Sequence, residues 1–263
     1  MLKILRERFR QGRRTLAFPE GEAVLPARYR GRPELMPGFA TEQWQAWAAA
    51  SPTGALTVDA EGPRLDLGAC LFADDLEPAL AAGAIRYTRD YRLAARRRED
   101  LLIRPGEQPR LAAPLEPKLR RLFARSLRIR QLCAGGSGAD EVETAVLTTV
   151  VFDLARFGIQ LVASPRHADA LLVTGPVTRN MRRALELTWE AMPAPKLVIA
   201  VGTEAISGGI FAGSPEVVGG VERVLPVDLY IPGFPAHPLT VLDGVLRLLG
   251  RIDCGPMAPS PRS

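Results

Sequence analysis

The sequence predicts an α/β fold, a parallel sheet domain preceded by a smaller domain, and three observations carry that prediction. Between Ile159 and Phe234, short apolar runs at Leu171–Val173, Leu197–Val201 and Val227–Ile231 each end in a turn rich in Gly, Pro or Thr. That is the pattern of buried parallel strands alternating with helices. Upstream, Ser51-Pro52-Thr53-Gly54-Ala55-Leu56 is echoed 29 residues later by Leu80-Ala81-Ala82-Gly83-Ala84-Ile85. Between the two regions, residues 104–121 contain four prolines and read as a linker. In an open α/β sheet, the loops leaving the carboxyl ends of the strands converge to build the site. Here those loops are TGPVT, GTEAISGG and PGFPAHP.

With 263 residues the chain has room for one medium domain and a smaller one. At 47% hydrophobic and 24% charged its composition is that of an ordinary globular protein. No apolar run approaches the ~18 residues that span a bilayer. No apolar segment follows the basic N-terminus as in a signal peptide. The expectation is a cytoplasmic protein, peripheral on the inner face of the cell membrane. The net charge is +5, and the basic residues cluster in Lys3–Arg14, Arg92–Arg104 and Lys118–Arg130. No groove-reading or base-stacking motif accompanies them, with aromatics at 6%, so a membrane or protein partner is expected and nucleic acid is not. Three cysteines, Cys70, Cys133 and Cys254, stand far apart, with no C-x-x-C pair. They predict no disulfide framework.

In chain order, residues 1–30 open with a basic amphipathic segment. Leu2, Leu5 and Phe9 share one helical face, with Lys3, Arg6, Arg10 and Arg13 around it. It either lies on a membrane surface or partner, or packs on its own domain. Residues 31–103 hold the echoed pair, and residues 122–251 form the parallel-sheet domain. That domain is expected to begin with a strand at Ile129–Leu132 and the AGGSGA loop. A helix from about Asp140 to Phe157 follows, its apolar positions Val142, Val146, Val150, Leu154 and Phe157, with Gly158 as a left-handed cap. A last helix spans about Pro238–Leu249, and residues 252–263, with three prolines, form a tail.

The flanks of the three loops carry a resemblance. ASPRHADALLVTGPVTRNM, SGGIFAGSPEVVGGVERVLPVDLYIPG and the Asp243–Gly250 helix resemble the small, cluster-bearing subunit of membrane-bound, energy-converting nickel–iron hydrogenases and formate hydrogenlyase. The B subunit of respiratory complex I is similar. The resemblance covers about Leu127 to Arg251 and implies a flavodoxin-like domain. In that family four cysteines hold a 4Fe–4S cluster, in a C-x-x-C pair, a G-D-C-A turn and P-G-C-P. Here those places hold Ser137, Asp140, Glu204 and Phe234.

The echoed pair resembles the two halves of a small α+β, two-cluster ferredoxin, whose ligands follow C-x2-C-x2-C-x3-C-P. That spacing picks out Thr41, Trp44, Trp47 and Ser51 before Pro52, then Cys70, Ala73, Leu76 and Leu80. Only Cys70 is a cysteine. Trp44, Trp47, Leu76 and Leu80 are large and apolar, as filling the volume of an absent cluster requires. As ordinary core residues they would serve the same end.

Other candidate chemistry is sparse. Gly135-Gly136-Ser137-Gly138 before a helix suggests anion binding, but it lacks the Gly-Lys-Ser/Thr of a P-loop and does not match G-x-G-x-x-G. If the resemblance holds, Asp140 and Glu204 face each other across a vacated pocket. They would take a hard cation, share a proton, or pair with an arginine such as Arg179. Asp140 is also a candidate cap for its own helix. His167 and His237 have no second ligand at metal spacing, and His237 is placed to cap or line the pocket. The resemblance implies a cluster-less structural and docking subunit, no bound cofactor, and no catalysis by this chain alone. Its implied partners are a hydrogenase- or complex I-like large subunit and antiporter-like and quinone-subunit-like membrane proteins. The alternatives are electron transfer through non-standard ligands, and ion or small-molecule binding in the pocket.

Overall fold

A ten-residue helix, α1 (Leu2–Gln11), opens the computed structural model, which describes residues 2–21, 23, 25–123 and 125–252. None of its residues is buried, so α1 does not pack on its own domain. The segment after it does. Leu16 N–H donates to Val151 O at 2.9 Å, and the Arg156 guanidinium holds the carbonyls of Leu16 and Phe18 at 2.8 and 2.9 Å. Phe18 and Leu25 are buried against the second unit.

The first unit runs β1 (Pro33–Leu35), α2 (Thr41–Ala50), β2 (Leu56–Asp59), β3 (Gly62–Asp66), α3 (Glu77–Ala81) and β4 (Ile85–Tyr87). The outer strands β1 and β4 pair antiparallel, as do the inner strands β2 and β3. A short β5 (Leu102–Ile103) is added to β3. Two strand–helix–strand halves whose outer and inner strands pair in this way make a small α+β, ferredoxin-like domain. The echoed sequence has a backbone counterpart. Gly54 follows α2 at φ 64° and Gly83 follows α3 at φ 74°, a left-handed conformation that glycine adopts without strain. Each glycine is followed by a buried alanine and a buried first strand residue, Ala55-Leu56 and Ala84-Ile85.

The proline-rich segment forms neither helix nor strand from 104 to 116, since proline lacks the N–H that a ladder needs. It is nonetheless tied down: Ala112 N–H donates to Ala94 O at 2.7 Å and Leu115 N–H to Leu248 O at 2.8 Å. Its end already belongs to α4 (Pro117–Phe123), begun by a proline, where the missing N–H costs nothing.

The second unit runs β6 (Leu127–Cys133), α5 (Ala139–Val146), β7 (Ile159–Leu161), β8 (Ala170–Thr174), α6 (Arg179–Ala191), β9 (Leu197–Val201), α7 (Gly202–Ser207), β10 (Leu229–Ile231) and α8 (Pro238–Leu248). The strands form one parallel sheet in the order β10-β9-β8-β6-β7, the flavodoxin-like order. Its topological switch point lies between β6 and β8. Successive side chains alternate faces, and the two faces have different covers. Leu171, Val173, Val198, Ala200 and Tyr230 join a core shared with Leu185 of α6 and with Leu56, Leu65, Cys70 and Leu76 of the first unit. Leu172, Ile199, Val201 and Ile231 face α8, Phe18 and Leu115. Every residue of α8 is buried. The first unit also adds backbone: Ala95 and Tyr230 exchange N–H···O bonds at 2.9 Å.

One predicted helix is shorter than expected. The helix read from Asp140 to Phe157 stops at Val146, and after a turn a 3-10 segment covers Leu154–Phe157. The apolar spacing was misleading, because Val142 and Val150 are 63% and 64% exposed. The hydroxyls of Thr148 and Thr149 bond the carbonyls of Ala145 and Val146, competing with helix continuation. Gly158 caps the 3-10 segment in the left-handed region, at φ 64°. Cys254 and the rest of the tail beyond Ile252 lie outside the described residues.

Candidate functional site

Three loops meet at the carboxyl ends of β6, β9 and β10, beside the switch point, and bring two buried carboxylates together. Asp140 and Glu204 are each 1% exposed. Asp140 stands in the first turn of α5, yet it does not cap that helix. Its Oδ1 accepts from Ala236 N–H at 2.8 Å, in the loop after β10. Glu204, in the first turn of α7, reaches across to the loop after β6, where its Oε2 accepts from Ser137 N–H at 3.0 Å. That loop is the one with an anion-binding appearance, and the carboxylate of Glu204 occupies its amide. Each acid keeps one buried oxygen, Asp140 Oδ2 and Glu204 Oε1, with no hydrogen-bond partner among the described residues.

Glycine makes the room for these groups. A Cβ on Gly202 would overlap the Asp140 carboxylate, and one on Gly136 would overlap Glu204 Oε2 and crowd Gly175. Gly175 and Gly202 follow β8 and β9 directly, at φ 82° and 87°, where a side chain would be strained even with space available.

Burial raises the Asp140 carboxyl to about 7, with the charge of Glu204 adding to the effect and the Ala236 amide opposing it. No salt bridge among the described residues reaches Asp140 or Glu204, and Arg179 is exposed rather than paired with either. Nor do the described residues contain a group of three or more His, Cys, Asp or Glu able to hold a metal ion. Ser137 and Cys133 are exposed, and Phe234 is half-buried. Burial and Glu141 push the Cys133 thiol up. His237 caps α8, its Nδ1 accepting from Leu239 N–H at 3.1 Å. Packed against Tyr29 and Phe152, it is lowered by burial to about 4. His167 is exposed.

In the first unit the eight positions at ferredoxin spacing form no polar cluster. Trp44 is 2% exposed and Trp47 packs beside it, rings 5.1 Å apart and edge-to-face, with Phe39 against both. Leu76 is buried and Leu80 packs on the same core. Thr41 is exposed, Ser51 and Ala73 are half-buried, and the Cys70 thiol lies 3.7 Å from the Tyr87 hydroxyl. Cys70 O accepts from Thr203 Oγ1 at 2.7 Å, so this residue joins the first unit to the turn that carries Glu204.

Sequence reasoning placed Asp140 and Glu204 in one pocket. It missed the Ala236 amide and the space-making role of Gly136 and Gly202. Glycine directly after an apolar strand was the available signal for Gly202.

A parallel sheet in flavodoxin order, with glycine loops converging on its switch point, defines a class of α/β domain whose sites lie at its strand ends. Within that class the assignment is specific. Residues 136–248 match the family described as NADH ubiquinone oxidoreductase, 20 Kd subunit. Over 135 residues the chain is 38% identical to the probable membrane-bound hydrogenase subunit mbhJ of Pyrococcus furiosus, covering 51% of this chain and 81% of that one. The chain belongs to this family. It is also 40% identical to formate hydrogenlyase subunit 7 of Escherichia coli over 141 residues, 54% of this chain and 55% of that one. With an NADH-quinone oxidoreductase subunit of Heliobacterium modesticaldum it shares 47% identity over 102 residues, 38% of this chain and 58% of that one. The chain thus spans little more than half the length of two of these three relatives. No helix among the described residues is long and apolar enough to cross a membrane.

Proposed function

We propose that this chain is a cluster-less structural and docking subunit of a membrane-associated hydrogenase-like or complex I-like assembly. In this reading a ferredoxin-like subunit and a small subunit are joined in one polypeptide. The reading rests on the donor set at the three loops. A 4Fe–4S cluster needs four thiolates or equivalent ligands turned to one centre. Here Phe234 offers no donor and Ser137 is exposed, while Asp140 and Glu204 each spend one oxygen on a backbone amide of a neighbouring loop. That set does not fit a cluster. The carboxylates do what a cluster's ligands do for architecture: they tie the loops after β6, β9 and β10 to one another.

The first unit supports the same reading, with Trp44, Trp47, Leu76 and Leu80 packed into its core. A large-subunit partner, antiporter-like and quinone-subunit-like membrane partners, and a peripheral position on the inner face of the membrane belong to this proposal as what the family resemblance implies. The relatives' names carry only a membrane-bound hydrogenase, a formate hydrogenlyase and an NADH-quinone oxidoreductase. The test is recovery of the tagged full chain from membranes of its native host under mild detergent. A hydrogenase- or complex I-like large subunit in stoichiometric yield is the expected result; a chain recovered alone from every fraction contradicts it.

A second reading has one observation in its favour. Asp140 Oδ2 and Glu204 Oε1 are buried without hydrogen-bond partners among the described residues, and a raised Asp140 carboxyl retains a proton near neutrality. The pocket is then a proton-holding acid pair. A bound metal ion is less favoured, since two carboxylates alone supply too few ligands.

A further inference from the structure

We propose that α1 is an anchor that lies on an anionic lipid surface. Charge location is the first argument. Residues 2–14 hold six basic side chains (Lys3, Arg6, Arg8, Arg10, Arg13 and Arg14) against one acid, Glu7. The whole chain has 34 basic and 29 acidic residues, so residues 15–263 carry 28 of each. The net charge of +5 therefore sits entirely on this segment. Its one acid is engaged locally, by Gln11 at 3.1 Å and Arg10 at 3.9 Å.

The second basic stretch behaves differently, because three of its arginines are paired with acids of the first unit. Arg92 pairs with Asp90 at 2.8 Å, Arg104 with Asp59 at 2.7 Å, and Arg98 with Asp66. Those guanidiniums staple the fold, whereas the α1 set faces solvent.

The apolar face is the second argument. Leu2, Leu5 and Phe9 are 84%, 53% and 86% exposed, and at ~100° per residue they share a stripe about 60° wide. Arg6 and Arg8 flank the stripe on its two sides, where a long cationic side chain can lay its stem on hydrocarbon and reach a phosphate. Ile4 alone departs from the pattern. An uncovered apolar stripe bordered by arginine, on a helix of low overall hydrophobicity, matches the interface of an anionic bilayer in both halves of its chemistry. The inference concerns α1 alone and does not rest on the subunit reading of the pocket.

Flotation of the full chain with vesicles tests it, using phosphatidylcholine alone and phosphatidylcholine mixed with phosphatidylglycerol. Two variants separate the contributions. Leu5→Ser with Phe9→Ser leaves the charge unchanged, and Arg6→Gln, Arg8→Gln with Arg10→Gln leaves the apolar stripe unchanged. All five positions are exposed, and an unchanged unfolding midpoint checks that the fold is kept. The expected result is binding at least about tenfold stronger to the anionic vesicles, weakened by salt, and cut about tenfold by either variant. Equal binding to both vesicle types overturns the proposal. So does undiminished binding by the serine variant, which would place the contact elsewhere, or no vesicle binding at all.

Discussion

The two units hold opposite chemistry at the positions that the family resemblance marks as cluster ligands. In the ferredoxin-like unit, Trp44, Trp47, Leu76 and Leu80 stand at ligand spacing and belong to an apolar core. At the sheet's loops the corresponding places hold Asp140 and Glu204, buried and hydrogen-bonded to backbone. The difference follows from what surrounds each place. A small domain with short strands needs volume filled to hold together. Three loops at the ends of parallel strands leave amide groups that need acceptors, and a carboxylate supplies them. One region is held by hydrocarbon packing, the other by hydrogen bonds between loops.

Four experiments sharpen that contrast. The largest expected effect is Trp44→Ala, which should cost about 3–5 kcal/mol, since the side chain fills a core that can collapse only in part. The denaturant midpoint reads it, and a loss below about 1 kcal/mol would mean the aromatic cluster is not the stabilising centre of that unit.

Asp140 provides the next. Its folded value of about 7 lies above the ordinary 3.8, so the folded state binds the extra proton between those values. Its contribution is complete below the ordinary value and is lost as pH rises through about 7, on the order of 4 kcal/mol in all. His237 works in the opposite sense: lowered from 6.5 to about 4, it gives stability above 6.5 that is lost as pH falls through 4. The two slopes oppose each other between about pH 4 and 6.5. Between pH 6.5 and 7.5 only the Asp140 slope of this pair remains. Asp140→Asn should therefore flatten the stability profile in that range and raise stability at pH 8. A profile parallel to wild type would show that the carboxyl ionises normally.

Gly202→Ala should destabilise through both its left-handed backbone and its overlap with Asp140. The overlap part should be relieved in Asp140→Ala, giving a coupling of about 0.5–3 kcal/mol in a double-mutant cycle. Strict additivity would separate the glycine from the acid. The smallest effect belongs to Leu5→Ser with Phe9→Ser, expected within about 0.5 kcal/mol in thermal or denaturant unfolding because α1 buries nothing.

Much of this architecture was legible in the chain. β8 and β9 are unbroken apolar runs because both faces of the sheet are covered, and the echo around Gly54 and Gly83 marked two equivalent helix-to-strand turns. β7 was missed because three residues, Ile159–Leu161, are too few to show a period. The length of α5 was misjudged because Val142 and Val150 carry helical spacing yet face solvent. Residues 104–121 read as a linker since prolines disfavour regular structure, yet α4 begins at Pro117; that Leu115 bonds Leu248 depends on tertiary placement, which no local pattern encodes. The same holds at the site. Asp140 and Glu204 were found through the turns that carry them, whereas their acceptor roles toward Ala236 and Ser137 are contacts between loops distant in sequence.

The most direct measurement of the central claim is iron and acid-labile sulfide on the full chain, purified anaerobically with whatever partners accompany it, together with low-temperature electron paramagnetic resonance of the reduced sample. Neither iron nor sulfide assignable to this chain, and no cluster signal from it, is the predicted outcome. Stoichiometric iron and sulfide in this polypeptide, with a reducible 4Fe–4S spectrum, would contradict the account.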